Sequence, residues 1–303
     1  MNDEFLKIAK MNEPEAREML ESIRWPDGII CPKCGSDKGA YKLQSKPESK
    51  HKIRPGVYKC KACRKKFTVT LGTIFEDSHI PLNKWLIAIY LMNASKKGIS
   101  AHQLHRMLDI TYKAAWYMCH RIRFAMSEGP LSSLLKGTVE ADETYIGGKK
   151  RGRGSENKTP VFALIERGGE LRAQKVDSVS GKNLEEIIHQ NVDPSSHIMT
   201  DGFLAYNGLD REFASPKTVD HGKREYVRGE VHINLAENWF SLLKRGITGT
   251  FHHVSSQHLD RYVGEFQYRY NNHKVSDSAR AKNAIRGAEG KRLMYKETNI
   301  KSR

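Results

Sequence analysis

The chain has 303 residues, enough for two or three domains of ordinary size. Its 51 Lys and Arg against 35 Asp and Glu give a formal net charge of +16, so a polyanion such as nucleic acid is the expected partner. No run of about 18 apolar residues occurs, and the first residues do not read as a signal peptide. The composition therefore excludes a membrane-spanning class, and we expect a cytoplasmic protein.

Four of the five cysteines form two C-x-x-C pairs, Cys31/Cys34 and Cys60/Cys63. In a reducing compartment this spacing favours a metal over disulfides. Thiolates in paired tight turns between strand-like segments are typical of a tetrahedral structural Zn²⁺ site. We expect residues 1–78 to form a helical lead-in and a small zinc ribbon. The fifth cysteine, Cys119, lies among apolar residues and is expected in a core.

Residues 79–130 read as helical, with a helix, a short turn at 109–111 and a second helix. This pattern predicts a helix-turn-helix domain whose second helix enters a DNA major groove. A helical hairpin without a DNA role is the alternative. The side chains on the second helix that we expect to contact DNA are Tyr112, Lys113, Trp116, His120, Arg121 and Arg123.

From residue 131 to residue 273 the pattern alternates between strands and helices. Strands are expected at about 138–146, 160–167, 170–178, 196–201 and 214–220, and helices at about 181–192 and 234–246. Three strands in an antiparallel meander, then helix, strand and helix, follow the order of a ribonuclease H-like α/β domain with a mixed sheet. The whole chain is thus predicted to be multidomain α+β. Residues 274–303 read as a solvated basic tail.

Three acidic residues stand out in this region. Asp142 and Asp201 each end a short apolar run in a predicted strand, and Glu237 lies on the predicted helix at 234–246. Converging carboxylates repel one another, so such a group needs hard cations such as Mg²⁺ or Mn²⁺. Two ions about 3.5–4 Å apart can hold the attacking and leaving oxygens of a displacement at phosphorus. The sequence therefore predicts a two-metal phosphoryl-transfer site.

Other residues compete for these roles. Glu140 and Glu143 compete with Asp142, although strand alternation places Glu143 on the opposite face. Asp210 competes weakly with Asp201. Asn234 shares a helix face with Glu237 and is a possible extra ligand.

Several basic residues near the acids are candidate DNA contacts. Lys244 follows Glu237 by two helical turns, and it either orients DNA through a phosphate or is simply solvated. The other candidates are Arg245 and the basic residues of the glycine-rich connection between the first two strands, Lys149, Lys150, Arg151 and Arg153.

Long segments between Arg24 and His273 resemble bacterial insertion-sequence transposases of the DDE class that carry an N-terminal zinc ribbon. The segments include RWPDGIICPKCGS, VEADETYIGGKK, TDGFLAYNGL and HINLAENWFSLLKRGITGTFHHVS. The resemblance implies that Asp142 and Asp201 are metal ligands, that Glu237 is the third acid and that Lys244 is the basic residue following it. It also implies a ribonuclease H-like catalytic domain, terminal inverted repeats and target DNA as substrates, and a homodimer or larger assembly on DNA.

Together these patterns predict a DNA transposase that cleaves and transfers DNA strands with two Mg²⁺ or Mn²⁺ ions. Two alternatives stay open. The protein could be a domesticated regulator that binds DNA without cutting it, or a ribonuclease H-like nuclease that cuts without joining strands.

Overall fold

The computed structural model describes most of the chain. The described residues are 3–45, 48, 50, 52–127, 133–147, 158–201, 213, 217–219 and 232–298. They form two compact units. The first lies within Met1–Ser95, Ala101–Met126 and Val275–Asn299, and the second within Lys96–Ser100 and Ser127–Lys274.

The described elements are nine α-helices and eight strands, with a few shorter helical turns. The helices are α1 (Asp3–Lys10), α2 (Glu13–Arg24), α3 (Leu82–Ala94), α4 (Ala101–Leu108), α5 (Tyr112–Met126), α6 (Gly181–Asn191), α7 (Asn234–Gly246), α8 (Leu259–Asn271) and α9 (Asp277–Arg286). The strands are β1 (Ala40–Lys42), β2 (Tyr58–Cys60), β3 (Lys66–Phe67), β4 (Thr138–Gly147), β5 (Lys158–Glu166), β6 (Leu171–Lys175), β7 (His197–Asp201) and β8 (Lys217–Val219). No helix in the described ranges combines the length and apolarity needed to cross a membrane.

The first unit contains a small antiparallel sheet in the order β1-β2-β3, together with α1 to α5 and α9. Trp25 packs edge-on against Tyr58 and Phe67, with ring centroids 5.6 and 5.9 Å apart. The Tyr58 hydroxyl donates to Glu21 Oε2 at 2.7 Å. This aromatic group gives the ribbon only a minimal core. Such a segment depends on a metal for much of its stability.

The C-terminal segment of the first unit departs from the sequence prediction. The expected solvated tail is wrong for the described residues after 274, because they include α9, which packs against α3. Ala281, Ala284 and Ile285 are buried at helical spacing. Two alanines and one isoleucine form a narrow apolar stripe, which allows close helix packing but gives a weak sequence signal.

The second unit is built on a five-stranded mixed sheet in the order β6-β5-β4-β7-β8. β4, β5 and β6 pair antiparallel, while β7 and β8 run parallel to β4. The expected meander, mixed sheet and flanking helices are therefore present, with bounds within a few residues of those predicted. A multidomain α+β architecture is confirmed.

Helices cover both faces of this sheet because β4 and β5 alternate two sets of apolar side chains. Val139, Ala141 and Leu164 face one buried cluster with α6. Ile146 and Ala163 face the other, which contains Trp239 and Phe240 of α7 and Phe266 of α8. Even-numbered positions of β4 therefore point toward α7.

The edge strand β6 is closed by side chains of α8. Backbone amides of Leu171, Ala173 and Lys175 donate to Asn271 Oδ1, Gln267 Oε1 and Asp260 Oδ1 at 2.8, 2.9 and 2.9 Å. An exposed strand edge would invite pairing with another chain, and this helix prevents it.

Candidate active site and zinc site

Asp142 and Asp201 lie side by side on neighbouring parallel strands. β4 pairs with β7 in the register Thr138 with His197 and Glu140 with Met199. Continuing that register by two residues sets Asp142 level with Asp201. Neighbouring strands are about 4.8 Å apart, and level positions in parallel strands share a face. The two aspartates therefore project together from the sheet.

The electrostatics of Asp142 connect the three predicted acids. Burial is the largest cause that raises the pKa of Asp142, and the charges of Glu143, Asp201 and Glu237 act in the same direction. The Glu143 amide, which donates to Asp142 Oδ1 at 2.8 Å, lowers it, and the net result is a pKa of about 8. Carboxylates act on one another in this way only at short range. The structure thus brings Asp142, Asp201 and Glu237 together, as the sequence predicted, although their catalytic roles stay predictions.

Glu237 is presented by an amphipathic helix. On α7, Trp239, Phe240 and Leu243 are buried, whereas Glu237 and Lys244 are exposed. Asn234, one turn before Glu237, is also exposed, so it can act as a further oxygen donor on that face. Its role as an extra ligand stays a prediction.

Glu140 has a different role from the one considered for it in the sequence. Its side chain is 0% exposed, and its Oε2 accepts from the amides of Leu235 and Ala236 at 2.8 and 3.3 Å. These are amides of the first turn of α7, whose own N-cap residue, Ile233, cannot supply a side-chain acceptor. The strand that carries Asp142 therefore caps the helix that carries Glu237.

The other oxygen of Glu140 is held by two basic groups. Arg167 Nε donates to Glu140 Oε1 at 2.8 Å, and His232 Nδ1 lies 3.3 Å from that oxygen. Arg167 Nη2 lies 2.8 Å from the carbonyl oxygen of His232 and 3.0 Å from its Nδ1. The guanidinium therefore links the Glu140 carboxylate to the backbone of His232, just before α7. With both oxygens engaged, Glu140 is not available as a ligand.

The three carboxylates do not form a tight single-ion cage. Within the described ranges, the only group of three or more acidic, histidine or cysteine ligands whose atoms lie within 4.8 Å of one another is the cysteine cluster. Asp142, Asp201 and Glu237 are more widely spread, so one ion could not contact all three without movement. Two ions separated by about 3.5–4 Å span a wider set of ligands.

The four cysteines of the ribbon do form such a cage. Cys31 Sγ lies 3.8 Å from Cys63 Sγ, and Cys34 Sγ lies 3.8 Å from Cys60 Sγ. A tetrahedron with Zn–S bonds of about 2.3 Å has sulfur–sulfur edges of about 3.8 Å. The backbone amide of Cys63 and then that of Ala62 lower the pKa of Cys60 to about 7, which favours the thiolate that binds metal. The cluster fits a structural zinc ion.

The structure corrects three of the predicted DNA contacts. His120, Arg121 and Arg123 are buried on α5. Arg121 donates to the carbonyl of Glu76 and lies 5.3 Å from the ring centre of Trp85. Side chains enclosed in this way cannot reach a major groove. Glu76 and Trp85 lie 45 and 36 residues before Arg121 in the sequence, so the local pattern of α5 does not reveal its burial.

The other predicted residues of α5 lie nearer the surface. Tyr112 is exposed and stacks on His102 at 4.2 Å. Lys113 is exposed, with its Nζ 4.7 Å from the ring centre of Tyr295. Trp116 is partly buried against the same tyrosine. Of the remaining candidates, Arg245 is exposed on α7, and Lys149, Lys150, Arg151 and Arg153 lie outside the described residues.

Two family models match separate segments of the chain, one in the mixed-sheet unit and one that includes the four-cysteine cluster. The family model described as ISXO2-like transposase domain matches residues 134–271, and the model described as transposase zinc-ribbon domain matches residues 11–66. An uncharacterized protein in transposable element ISH50 of Halobacterium salinarum is 31% identical over 283 residues, 86% of this chain and 91% of that protein. An uncharacterized transposase-like protein of Haemophilus influenzae is 28% identical over 100 residues, 33% of this chain and 80% of that protein.

Among solved structures, a chain in the cryoEM structure of the simian T-cell lymphotropic virus intasome in complex with PP2A regulatory subunit B56 gamma aligns with 55% of this chain and 67% of its own length. The TM-score is 0.30 and the identity 14%, which does not establish a shared fold. The family matches and the near full-length relative do establish the family. The chain belongs to the transposases with a zinc ribbon and an ISXO2-like transposase domain.

Proposed function

We propose that the protein is a DNA transposase that cleaves the ends of an insertion sequence and joins them to target DNA. The observation that carries this proposal is the meeting of Asp142 and Asp201, on the neighbouring parallel strands β4 and β7, with Glu237 of α7. The strand order β6-β5-β4-β7-β8, with helices on both faces, supports a ribonuclease H-like catalytic domain. A DNA partner fits the net charge of +16.

Asp142, Asp201 and Glu237 would hold two Mg²⁺ or Mn²⁺ ions, with Asn234 as a possible further ligand. When bound, such ions stabilise the attacking and leaving oxygens of an in-line displacement at phosphorus. The high pKa of Asp142 supports this role, because a partly buried carboxyl beside other acids needs a cation to become fully ionised.

The protein groups orient two successive reactions of the DNA. In the first, a water oxygen forms a bond to phosphorus and the bond to the 3′ oxygen breaks, which leaves a free 3′-hydroxyl. In the second, that hydroxyl attacks a phosphodiester of the target, and the target's 3′ oxygen leaves. Lys244 lies about 10 Å along α7 from Glu237, so it can hold a phosphate of the bound strand.

The first unit is proposed to bind the terminal inverted repeats. α4 and α5 are consecutive helices that contact each other and are joined by a short turn, which supports a helix-turn-helix. Tyr112 and Lys113 are exposed at the start of α5, the part of a recognition helix that contacts bases. We expect a homodimer or larger assembly, because two element ends must be held together.

The test is incubation of purified protein with DNA that carries the flanking ends of its element, with Mg²⁺, followed by separation of nicked, excised and joined products. Joined products support a transposase. Cutting without joining would indicate a nuclease, and sequence-specific binding without any cutting in Mg²⁺ or Mn²⁺ would indicate a DNA-binding regulator. Either outcome would contradict the proposal.

A further inference from the structure

The segment Lys96–Ser100 packs as part of the second unit, although α3 and α4, on either side of it in sequence, belong to the first. Gly98 is buried and has φ of +84°. A Cβ built there would lie 2.4 Å from Cζ of Phe251, so only glycine fits. The main chain of this segment therefore lies directly against the turn that follows α7.

A second glycine, Gly246, also marks a close approach between α7 and the segment Lys96–Ser100. At Gly246, the last residue of α7, an added Cβ would lie 2.3 Å from Cζ of Phe266 and 3.0 Å from the carbonyl oxygen of Lys97. Ile99 and Ile247 are buried nearby. Lys97 is thus anchored through its backbone at the C-terminal end of the helix that carries Glu237.

The side chains at this junction share one charge. Lys96, Lys97, Lys244 and Arg245 are all exposed, and none forms a salt bridge with a described residue. The sequence has no Asp or Glu between Asp77 and Asp109, nor between Glu237 and Asp260. Glu265, whose Oε1 would lie 3.3 Å from a Cβ at Gly98, is fully buried and bonded to Arg269.

We propose that Lys96 and Lys97 join Lys244 and Arg245 in a surface that binds the phosphate backbone of duplex DNA beside the acidic site. This rests on the proposed function, and it adds to it a DNA contact supplied by the segment between α3 and α4. Four cations without a salt bridge to any described residue lie at a helix end whose backbone is set by two close glycine contacts, and together they form a positive surface. Its large apolar neighbours, Ile99 and Ile247, are buried, which fits a hydrated polyanion rather than a lipid surface.

The experiment measures binding of the full-length, zinc-loaded protein to a random-sequence DNA duplex without added Mg²⁺ or Mn²⁺, over a range of salt concentrations. Each phosphate neutralised adds roughly 0.9 to the slope of log affinity against log salt. Lys96→Ala/Lys97→Ala should lower that slope by between about 1 and 2, and weaken binding at 0.1 M salt by roughly 10- to 60-fold.

A matched control removes the same charge elsewhere in the second unit. Lys136→Ala/Lys182→Ala changes two exposed lysines that lie away from α7, and it should leave the slope close to that of the unchanged protein. Equal slopes for the two double variants would overturn the proposal. Since no Mg²⁺ or Mn²⁺ is present to support cleavage, this result is independent of whether the protein is a transposase. Loss of cleavage without a change in slope would leave the catalytic proposal intact and reject this surface.

Discussion

In the candidate site, the surroundings of Asp142 strongly disfavour the charged form of its carboxyl group. Its pKa is raised to about 8 by burial and by three neighbouring acids, whereas an aspartate in an unfolded chain titrates near about 4. The folded state therefore binds a proton more tightly than the unfolded state. Its contribution to stability is present below about pH 4 and is lost as the pH rises through about 8.

This predicts that Asp142→Asn stabilises the metal-free protein at alkaline pH. Asparagine has the same shape and no charge, so at pH 8.5 the variant should be more stable by about 1–4 kcal/mol, and at pH 4 the difference should vanish. Urea unfolding of the zinc-loaded protein at both pH values, without added Mg²⁺ or Mn²⁺, measures it. A difference between the variant and the unchanged protein that is the same at both pH values would contradict the electrostatic account.

Asp193→Asn is a control with the opposite sign. Hydrogen bonds from Ser195 lower the pKa of Asp193, so its charge favours the folded state at neutral pH. Removing that charge should cost stability at pH 8.5 rather than add it. The comparison separates the effect at Asp142 from a general benefit of lowering negative charge.

Glu140 yields a second prediction at this scale. Glu140→Ala would leave Arg167 without its buried carboxylate and two amides of α7 without an acceptor, a loss of about 3–5 kcal/mol of unfolding free energy. Glu140→Gln keeps one oxygen acceptor and should lose less. Chemical denaturation measures the unfolding free energy of both variants. In the Gln variant α7 is held less firmly to β4, so the Mg²⁺ concentration that gives half-maximal DNA cleavage should rise.

Glu166→Gln serves as the control, because Glu166 is partly exposed and its Oε2 accepts from the amide of Lys136 at 3.1 Å, a bond that a glutamine oxygen can keep. Its unfolding free energy should change by less than about 1 kcal/mol. If Glu140→Ala were as mild as this control, the cap would have no energetic importance.

At the scale of elements, the sequence predicted the second unit well and parts of the first unit poorly. Asp142 and Asp201 end short apolar runs, and α7 has clear helical spacing, so local patterns were sufficient. The cap from Glu140 was not predictable, because its amide partners lie 95 and 96 residues away along the chain. Only the packed sheet brings them together.

On α5, the prediction that Arg121 and Arg123 face DNA was wrong. Arg121 and Arg123 look like a solvent-facing basic stripe in the sequence, but they are buried. Arginine can be buried where carbonyl oxygens and aromatic rings surround it. For Arg121, these are the backbone carbonyl of Glu76 and the ring of Trp85. Helical periodicity indicates which residues share a face of α5. It does not indicate which of those faces packs against the core.

The zinc ribbon should depend on its metal for folding. Because its sheet has only a few aromatic residues in its core, removal of zinc should unfold it while leaving the second unit folded. A strong chelator should release about one Zn²⁺ per chain, with a binding free energy on the order of 10 kcal/mol. Metal analysis and hydrogen exchange on residues 31–67 measure the two effects.

Cys34→Ser should reduce the zinc content, whereas Cys119→Ala, which changes the buried cysteine outside the cluster, should not. Unchanged hydrogen exchange in the ribbon after full removal of zinc would contradict the assignment of a structural metal.

At the scale of the whole molecule, the chain combines a zinc ribbon and helical unit with a mixed-sheet unit that carries the acidic site. The formal charge of +16 is compatible with DNA bound over a long surface. Family membership indicates a transposase, and the arrangement of Asp142, Asp201 and Glu237 supplies a chemical reason for that activity. The remaining question is whether these three residues act in strand cleavage.

Single-turnover cleavage of DNA carrying the ends of the element, at matched DNA occupancy and saturating Mg²⁺, tests this most directly. Asp142→Asn and Asp201→Asn should each lower the cleavage rate by at least about 1,000-fold, because each removes a ligand needed in the transition state, while DNA affinity stays within a few fold. Asp193→Asn should cleave at the rate of the unchanged protein. Full cleavage by either active-site variant would contradict the account.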